Sequence, residues 1–141
     1  SMLIDLSKFT NKKLFDENFF LFYEETDLCK RVKLNNGSIF SSKDLIIDHY
    51  GEKGSFATES KNKYPYLKLR NWHLMWSSFY YYKKNYNYMY AFKLLFGSLI
   101  KSFLKIIFFA IILNKYNFTK HLYRFLGLIN SMIGKNSSFR V

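Results

Sequence analysis

Carboxylates stop at residue 59. All ten Asp and Glu of the 141-residue chain lie between Asp5 and Glu59, beside eight Lys and Arg, whereas residues 61–141 hold fourteen Lys and Arg and no acid. A chain polarised this way divides into a mixed-charge part and a basic, aromatic, apolar part. The second part is expected to meet an anionic surface, either phospholipid or nucleic acid. Its length suits a single domain's worth of chain. A hydrophobic fraction of 49% and an aromatic fraction of 21% exclude a disordered tail. One cysteine, Cys29, excludes an internal disulfide and any multi-cysteine metal site, which fits a reducing compartment. Ser1 before Met2 reads as a residue left by tag removal, and Met2 to Lys13 lacks the apolar core of a secretory signal.

Within the basic part, Trp72, Trp76 and Tyr80 recur at i, i+4, i+8 and share one helical face. The run from Phe79 to Tyr90 has seven Phe or Tyr among its twelve residues. Lys93 to Leu113 is the most hydrophobic stretch, yet Lys101 and Lys105 interrupt it, and the charge-free run Ile106 to Leu113 is too short to span a bilayer. Lys93, Gly97, Lys101 and Lys105 form an i+4 row, a cationic or small stripe on an otherwise apolar helix. Like charges at that spacing repel by a few tenths of a kcal/mol in water. An anionic surface removes the repulsion, so this segment is expected to lie on a membrane as an interfacial or reentrant helix. After a break at Asn114 to Asn117, Thr119 to Ile133 carries Leu122, Phe125, Leu126, Ile129 and Ile133 on one side and Lys120 and Arg124 on the other. This second amphipathic helix would complete a hairpin.

In the mixed part, Glu24 to Leu34 reads as a helix with Glu24, Glu25 and Asp27 in its first turn and Lys30, Arg31 and Lys33 near its end, matching the helix dipole. Gly37 is the expected left-handed cap. "MLIDL", "SIFSS" and "LIIDH" suggest short strands, and residues 52–63 a polar loop. The three acids have a plain explanation in the dipole, and Asp27 with Arg31 is an i, i+4 ion pair.

The order of "FDENFF", "EETDLCKR", "NNGSIF" and "DHYGEKGS", continuing loosely into "RNWHLMWSSFYYYKKNY", resembles the C-terminal part of the catalytic domain of family 2 glycosyltransferases, in particular the rhamnosyltransferase-like branch, over roughly residues 2–90. The resemblance implies an α+β, mainly helical fold: a partial GT-A-like remnant of short strands plus a helix over residues 2–60, then amphipathic helices over residues 61–141. It places Glu25, with Glu24 before it, at the position of the general base that deprotonates an acceptor hydroxyl. The family usually has Asp at the position of Glu25. Asp27 and Arg31 match "D-L-C-x-R", which implies a role in holding the helix. His49 matches a histidine that in some relatives completes a divalent metal site, Mg or Mn in the complete enzyme. The chain has no Asp-x-Asp and no glycine-rich phosphate loop, so the donor-binding half of such an enzyme is missing from it.

The expected partners are therefore a nucleotide-sugar donor, held by a separate N-terminal half, and a glycan or polyprenyl-linked acceptor at the cytoplasmic face of the membrane. Alone, the chain is expected to transfer nothing. Self-association is expected from unpaired strand edges. Lys93, Lys101, Lys105 and Arg70 are the candidate membrane or anion contacts, with Lys63 a further phosphate candidate. The competing reading is a non-catalytic membrane- or partner-binding module derived from such a transferase. Nucleic-acid binding by the tyrosine-rich 61–90 stretch ranks behind lipid, because no nucleic-acid motif accompanies it.

Overall fold

A computed structural model describes residues 2–5, 7, 14–42, 44, 46 and 63–141. The described chain is mainly helical, with four helices: α1 (Glu24–Leu34), α2 (Lys63–Asn85), α3 (Tyr88–Ile111) and α4 (Lys115–Met132). Among the described residues there is no strand. Residues 2–5 and 38–42, expected as strands, run without strand pairing, and of "LIIDH" only Ile46 is described. The physical reason lies in the surroundings. Ile39 and Phe40 are exposed, so no neighbouring edge or apolar layer holds these short segments in a ladder.

α2 is the central element. Between Asn71 and Phe79 nearly every side chain is buried, so the helix is enclosed on most of its circumference. Pro65 sits in its first turn, where a missing N–H leaves no bond unmade. Trp72, Trp76 and Tyr80 do share a face, with stacked rings 6.2 Å and 5.0 Å apart. That face is covered by the chain following α4. Phe139 stacks on Trp72 at 5.3 Å, and Trp76 Nε1 donates to the Lys135 carbonyl at 2.9 Å.

α2 packs most extensively on α4. Gly127 makes this possible: a Cβ there would lie 2.1 Å from the Trp72 carbonyl oxygen, so only glycine allows the two backbones to approach so closely. The core beside the crossing is Met75, Phe79, Ala91 and Leu128, with Phe92, Leu95, Leu99 and Met132 against it.

Each helix end has a local cause. Asn87 and Asn114 cap α3 and α4, accepting from the backbone N–H of Tyr90 at 2.8 Å and Asn117 at 3.1 Å. α1 ends in a two-bond left-handed cap, with Gly37 N–H to the Val32 carbonyl at 2.8 Å and Asn36 N–H to Lys33 at 3.1 Å. The left-handed residue there is Asn36 (φ 57), not Gly37. Gly37 is needed for clearance instead, since a Cβ would meet Val32 Cγ1 at 2.6 Å. α3 ends the same way with Leu113 (φ 55) in the left-handed position, an unusual residue for that conformation.

α3 starts earlier than the apolar stretch suggests, at Tyr88, and runs unbroken through Lys101 and Lys105. It is long and apolar enough to cross a membrane, and almost none of it is buried within the protein. Phe96, Ile100, Phe103, Leu104, Ile107, Phe108 and Ile111 form its exposed face. The buried face of α4 is not its apolar side. Thr119, His121, Gly127, Leu128 and Ser131 are buried, while Leu126 and Ile133 of the apolar side are exposed. The buried positions serve two neighbours: Gly127 lies against the Trp72 backbone of α2, while His121 stacks on Phe109 of α3. Leu126 and Ile133 are left to add to the exposed apolar surface.

Candidate functional site

The chain enters α1 through two successive left-handed residues, Phe22 (φ 67) and Tyr23 (φ 70). Neither is glycine, so this turn is strained and must be held by its surroundings. The Leu21 carbonyl accepts from Ser77 Oγ at 2.7 Å, and the Tyr23 hydroxyl lies 3.2 Å from Ser78 Oγ. Tyr23 and Tyr81 rings are 5.1 Å apart. Tyr23 supplies no side-chain cap, so the acids of the first turn are what complement the helix dipole.

Those three acids occupy three environments. Asp27 is fully buried, with 0% exposure. It accepts from Arg31 Nε at 2.9 Å, Lys84 Nζ at 2.8 Å and Asn85 Nδ2 at 3.2 Å. Burial alone would raise its pKa, but the bonds from Lys84, Asn85 and Arg31 outweigh burial and hold the carboxyl below its ordinary range. With both oxygens engaged, Asp27 is a structural anion. Glu24, three residues earlier on the same side of α1, is half-buried, and its Oε2 is buried with no hydrogen-bond partner among the described residues. Glu25 is turned about 100° from Glu24 by the helical repeat and is exposed.

The network around Asp27 extends to a residue from the "FDENFF" motif. Lys84 Nζ also bonds Asp16 Oδ2 at 2.8 Å, and the Tyr80 hydroxyl donates to the same oxygen at 3.1 Å. Burial opposes ionisation of Asp16, yet Lys84 and Asn18 bring its pKa down to about 2. Tyr80 is pushed up to about 12, first by burial and then by the Asp16 charge. Arg31 donates to the Leu14 carbonyl, which ties the same segment to α1. Phe15, Asp16, Glu17, Asn18, Arg31 and Lys84 line a shallow cleft of about 300 Å³. Lys84 is the hinge of this arrangement, a cation from the acid-free half that engages two carboxylates of the other half.

The other candidates fall into two groups. His49 lies outside the described residues, as does the side chain of Lys63. Among the described residues no three His, Cys, Asp or Glu converge as a metal site, so those residues do not by themselves fit a metal. Lys93 and Lys101 are exposed on α3, while Lys105 and Arg70 are half-buried. Arg124, expected opposite the apolar side of α4, turns toward α2, and its Nε donates to Asn71 Oδ1 at 2.8 Å.

Sequence reading missed Asp16, Lys84 and Asn85 as partners of α1. The only signal was the pair of lysines inside the tyrosine-rich run, which carries no information about a contact 57 residues away. Compared with known proteins, the chain matches no family model, no curated protein and no solved structure.

Proposed function

We propose that this chain is the acceptor-side, membrane-docking portion of a glycosyltransferase acting on a glycan or lipid-linked acceptor at the cytoplasmic membrane surface. The observation that carries the membrane part is the exposed apolar face of α3. The transferase part rests on the order of the sequence motifs and on the strained, tethered turn that presents Glu24 and Glu25. In this reading residues 2–60 are a remnant of a GT-A-like domain, and the nucleotide-sugar donor with its Mg or Mn ion is held by a separate half. His49 remains the candidate ligand this chain would add. Glu25 is the general base, taking the acceptor hydroxyl proton as that oxygen bonds to the anomeric carbon. Asp27, Arg31, Lys84 and Asp16 position α1 and do not exchange protons with substrate.

An in-plane placement of α3 fits better than a span. α3 packs along α4, whose middle carries Lys120 and Arg124. Crossing would draw those cations toward hydrocarbon at a cost of about 2.5–3.5 kcal/mol each. Lying in the interface immerses only the exposed stripe. Seven half-exposed apolar side chains, at about 1 kcal/mol each for their remaining surface, give about 7 kcal/mol. That magnitude corresponds to binding in roughly the ten-micromolar range. Tyr86, Tyr88, Tyr90 and Tyr116 are exposed near the ends of α3 and at the start of α4, where interfacial aromatics belong.

Co-sedimentation with lipid vesicles tests this. Leu104→Gln with Ile107→Gln removes two side chains that are 58% and 46% exposed, so the fold should be retained. Vesicle binding should weaken by roughly tenfold to a hundredfold. Unchanged binding would remove the membrane reading.

A further inference from the structure

α3 and α4 bring four cations, Lys101, Lys105, Lys120 and Arg124, together along one seam. On α3, Lys101 and Lys105 lie one turn apart, and one turn further Phe109 stacks on His121 of α4 with ring centroids 5.7 Å apart and 7° between planes. Phe103 meets Phe125 at 6.0 Å, which fixes the antiparallel register of the two helices. Lys120 and Arg124 flank His121 on α4, and the bond from Arg124 to Asn71 sets them beside Arg70 of α2. No carboxylate among the described residues pairs with Lys101, Lys105, Lys120 or Arg124.

The electrostatic strain of this arrangement is visible in its members. Burial, then Arg124, Lys105 and Arg70, lowers the Lys120 pKa. His121 is only 6% exposed and its Nδ1 has no hydrogen-bond partner among the described residues. Burial first, and then Lys105, Arg124, Lys120 and Lys101, brings the His121 pKa down to about 4, so the imidazole is neutral at physiological pH. Folding has therefore gathered like charges around a neutral imidazole without a described anion to offset them. Such an arrangement is unfavourable in isolation and favourable once a compact multivalent anion arrives.

We propose that Lys101, Lys105, Lys120 and Arg124 form a recognition site for the terminal phosphate or diphosphate of a membrane lipid head group. The occupant is a lipid and not a soluble anion, because Lys101 and Lys105 lie at the margin of the exposed apolar face of α3. A head group on these cations would have its chain running along Phe103, Leu104 and Ile107. The geometry also separates this site from a diffuse basic surface. A lysine on flexible surface gains from any negative lipid alike. Cations converging from two helices, with Arg124 held by Asn71, favour a small, doubly charged group that accepts several hydrogen bonds at once. This inference rests on the interfacial placement of α3 proposed above.

The test compares binding of the full chain to phosphatidylcholine vesicles doped with phosphatidic acid, which ends in a phosphomonoester, or with phosphatidylglycerol at matched zeta potential. The proposal expects the phosphatidic acid vesicles to bind about tenfold tighter. Lys105→Gln with Lys120→Gln should abolish that preference and raise the urea midpoint of the lipid-free protein, since like-charge repulsion is relieved. Lys83→Gln with Lys135→Gln removes the same charge elsewhere and should keep the preference. Equal affinity for the two vesicle types overturns the proposal while leaving membrane docking intact. Loss of preference in both double variants overturns it in favour of diffuse electrostatics. Inorganic diphosphate binding the free protein as tightly as the doped vesicles overturns the lipid assignment, and failure to bind any vesicle removes the interfacial placement itself.

Discussion

Asp27→Asn changes one atom's chemistry at the centre of the contact between α1 and α2. In the native protein the carboxylate is wholly enclosed and accepts from Arg31, Lys84 and Asn85. Removing one partner of a buried ion pair commonly costs about 3–5 kcal/mol, because a charge is left uncompensated. Here the stranded cations have other acceptors: Lys84 retains Asp16 at 2.8 Å, and Arg31 retains the Leu14 carbonyl. Their side chains are also 29% and 30% exposed, so water screens part of the loss. The expected destabilisation is therefore about 2–3 kcal/mol at neutral pH. Urea unfolding followed by fluorescence of the buried Trp72 and Trp76 in mild non-ionic detergent measures it.

The pH dependence of that difference separates charge from shape. The Asp27 pKa is depressed in the folded state. Its stabilising contribution is therefore full above the unfolded carboxylate range and is lost as pH falls through the lower, folded value. Once protonated, native Asp27 resembles the Asn variant, so the gap between the two proteins should close in acid. Asp16, lowered from 3.8 to about 2, adds its own acid-sensitive contribution of no more than about 2 kcal/mol in both proteins. A gap under about 0.5 kcal/mol at neutral pH would refute the network as a stabilising element. A gap that persists unchanged in acid would assign it to packing.

Two glycines give opposite expectations. Gly127→Ala places a Cβ against the Trp72 backbone carbonyl, where neither helix can yield cheaply, and should cost about 1–3 kcal/mol or more by the same urea assay. Gly97→Ala adds a Cβ that meets nothing within 4 Å on exposed α3 and should stabilise by about 0.5–1 kcal/mol. Leu113→Gly relieves a left-handed leucine at the end of α3 and should be neutral or stabilising by about 1 kcal/mol in thermal unfolding, with vesicle binding slightly weakened because Leu113 is exposed.

The helices were legible wherever a local cause sets them. Acids and bases at the two ends of Glu24–Leu34 marked α1 to the residue, because the dipole acts within one turn. The i+4 aromatics of α2 marked its stacked face, although not that the chain after α4 would cover it. The apolar side of α4 was legible, but not the face it buries. The crossing with α2 is set by Gly127, and a glycine adds nothing to an apolar count. The expected strands depended on partners that the described chain does not offer. The site was half legible: Asp27 and Arg31 follow from i, i+4 spacing, whereas Lys84, Asn85 and Asp16 join them only through tertiary contact. Periodicity set Lys120 and Arg124 opposite the apolar side of α4 but could not show Asn71 of α2 beside Arg124.

If Glu25 acts as a base that the following helices hold at a membrane, removing its carboxylate must cost turnover and nothing else. Transfer should be measured for the chain supplied with an Asp-x-Asp-bearing donor half, comparing native protein with Glu25→Gln on membrane-presented acceptor. Turnover should fall by about 10²–10⁴-fold, with vesicle binding and the urea midpoint unchanged. Full transfer by Glu25→Gln would contradict it and leave a membrane-binding module without that chemistry.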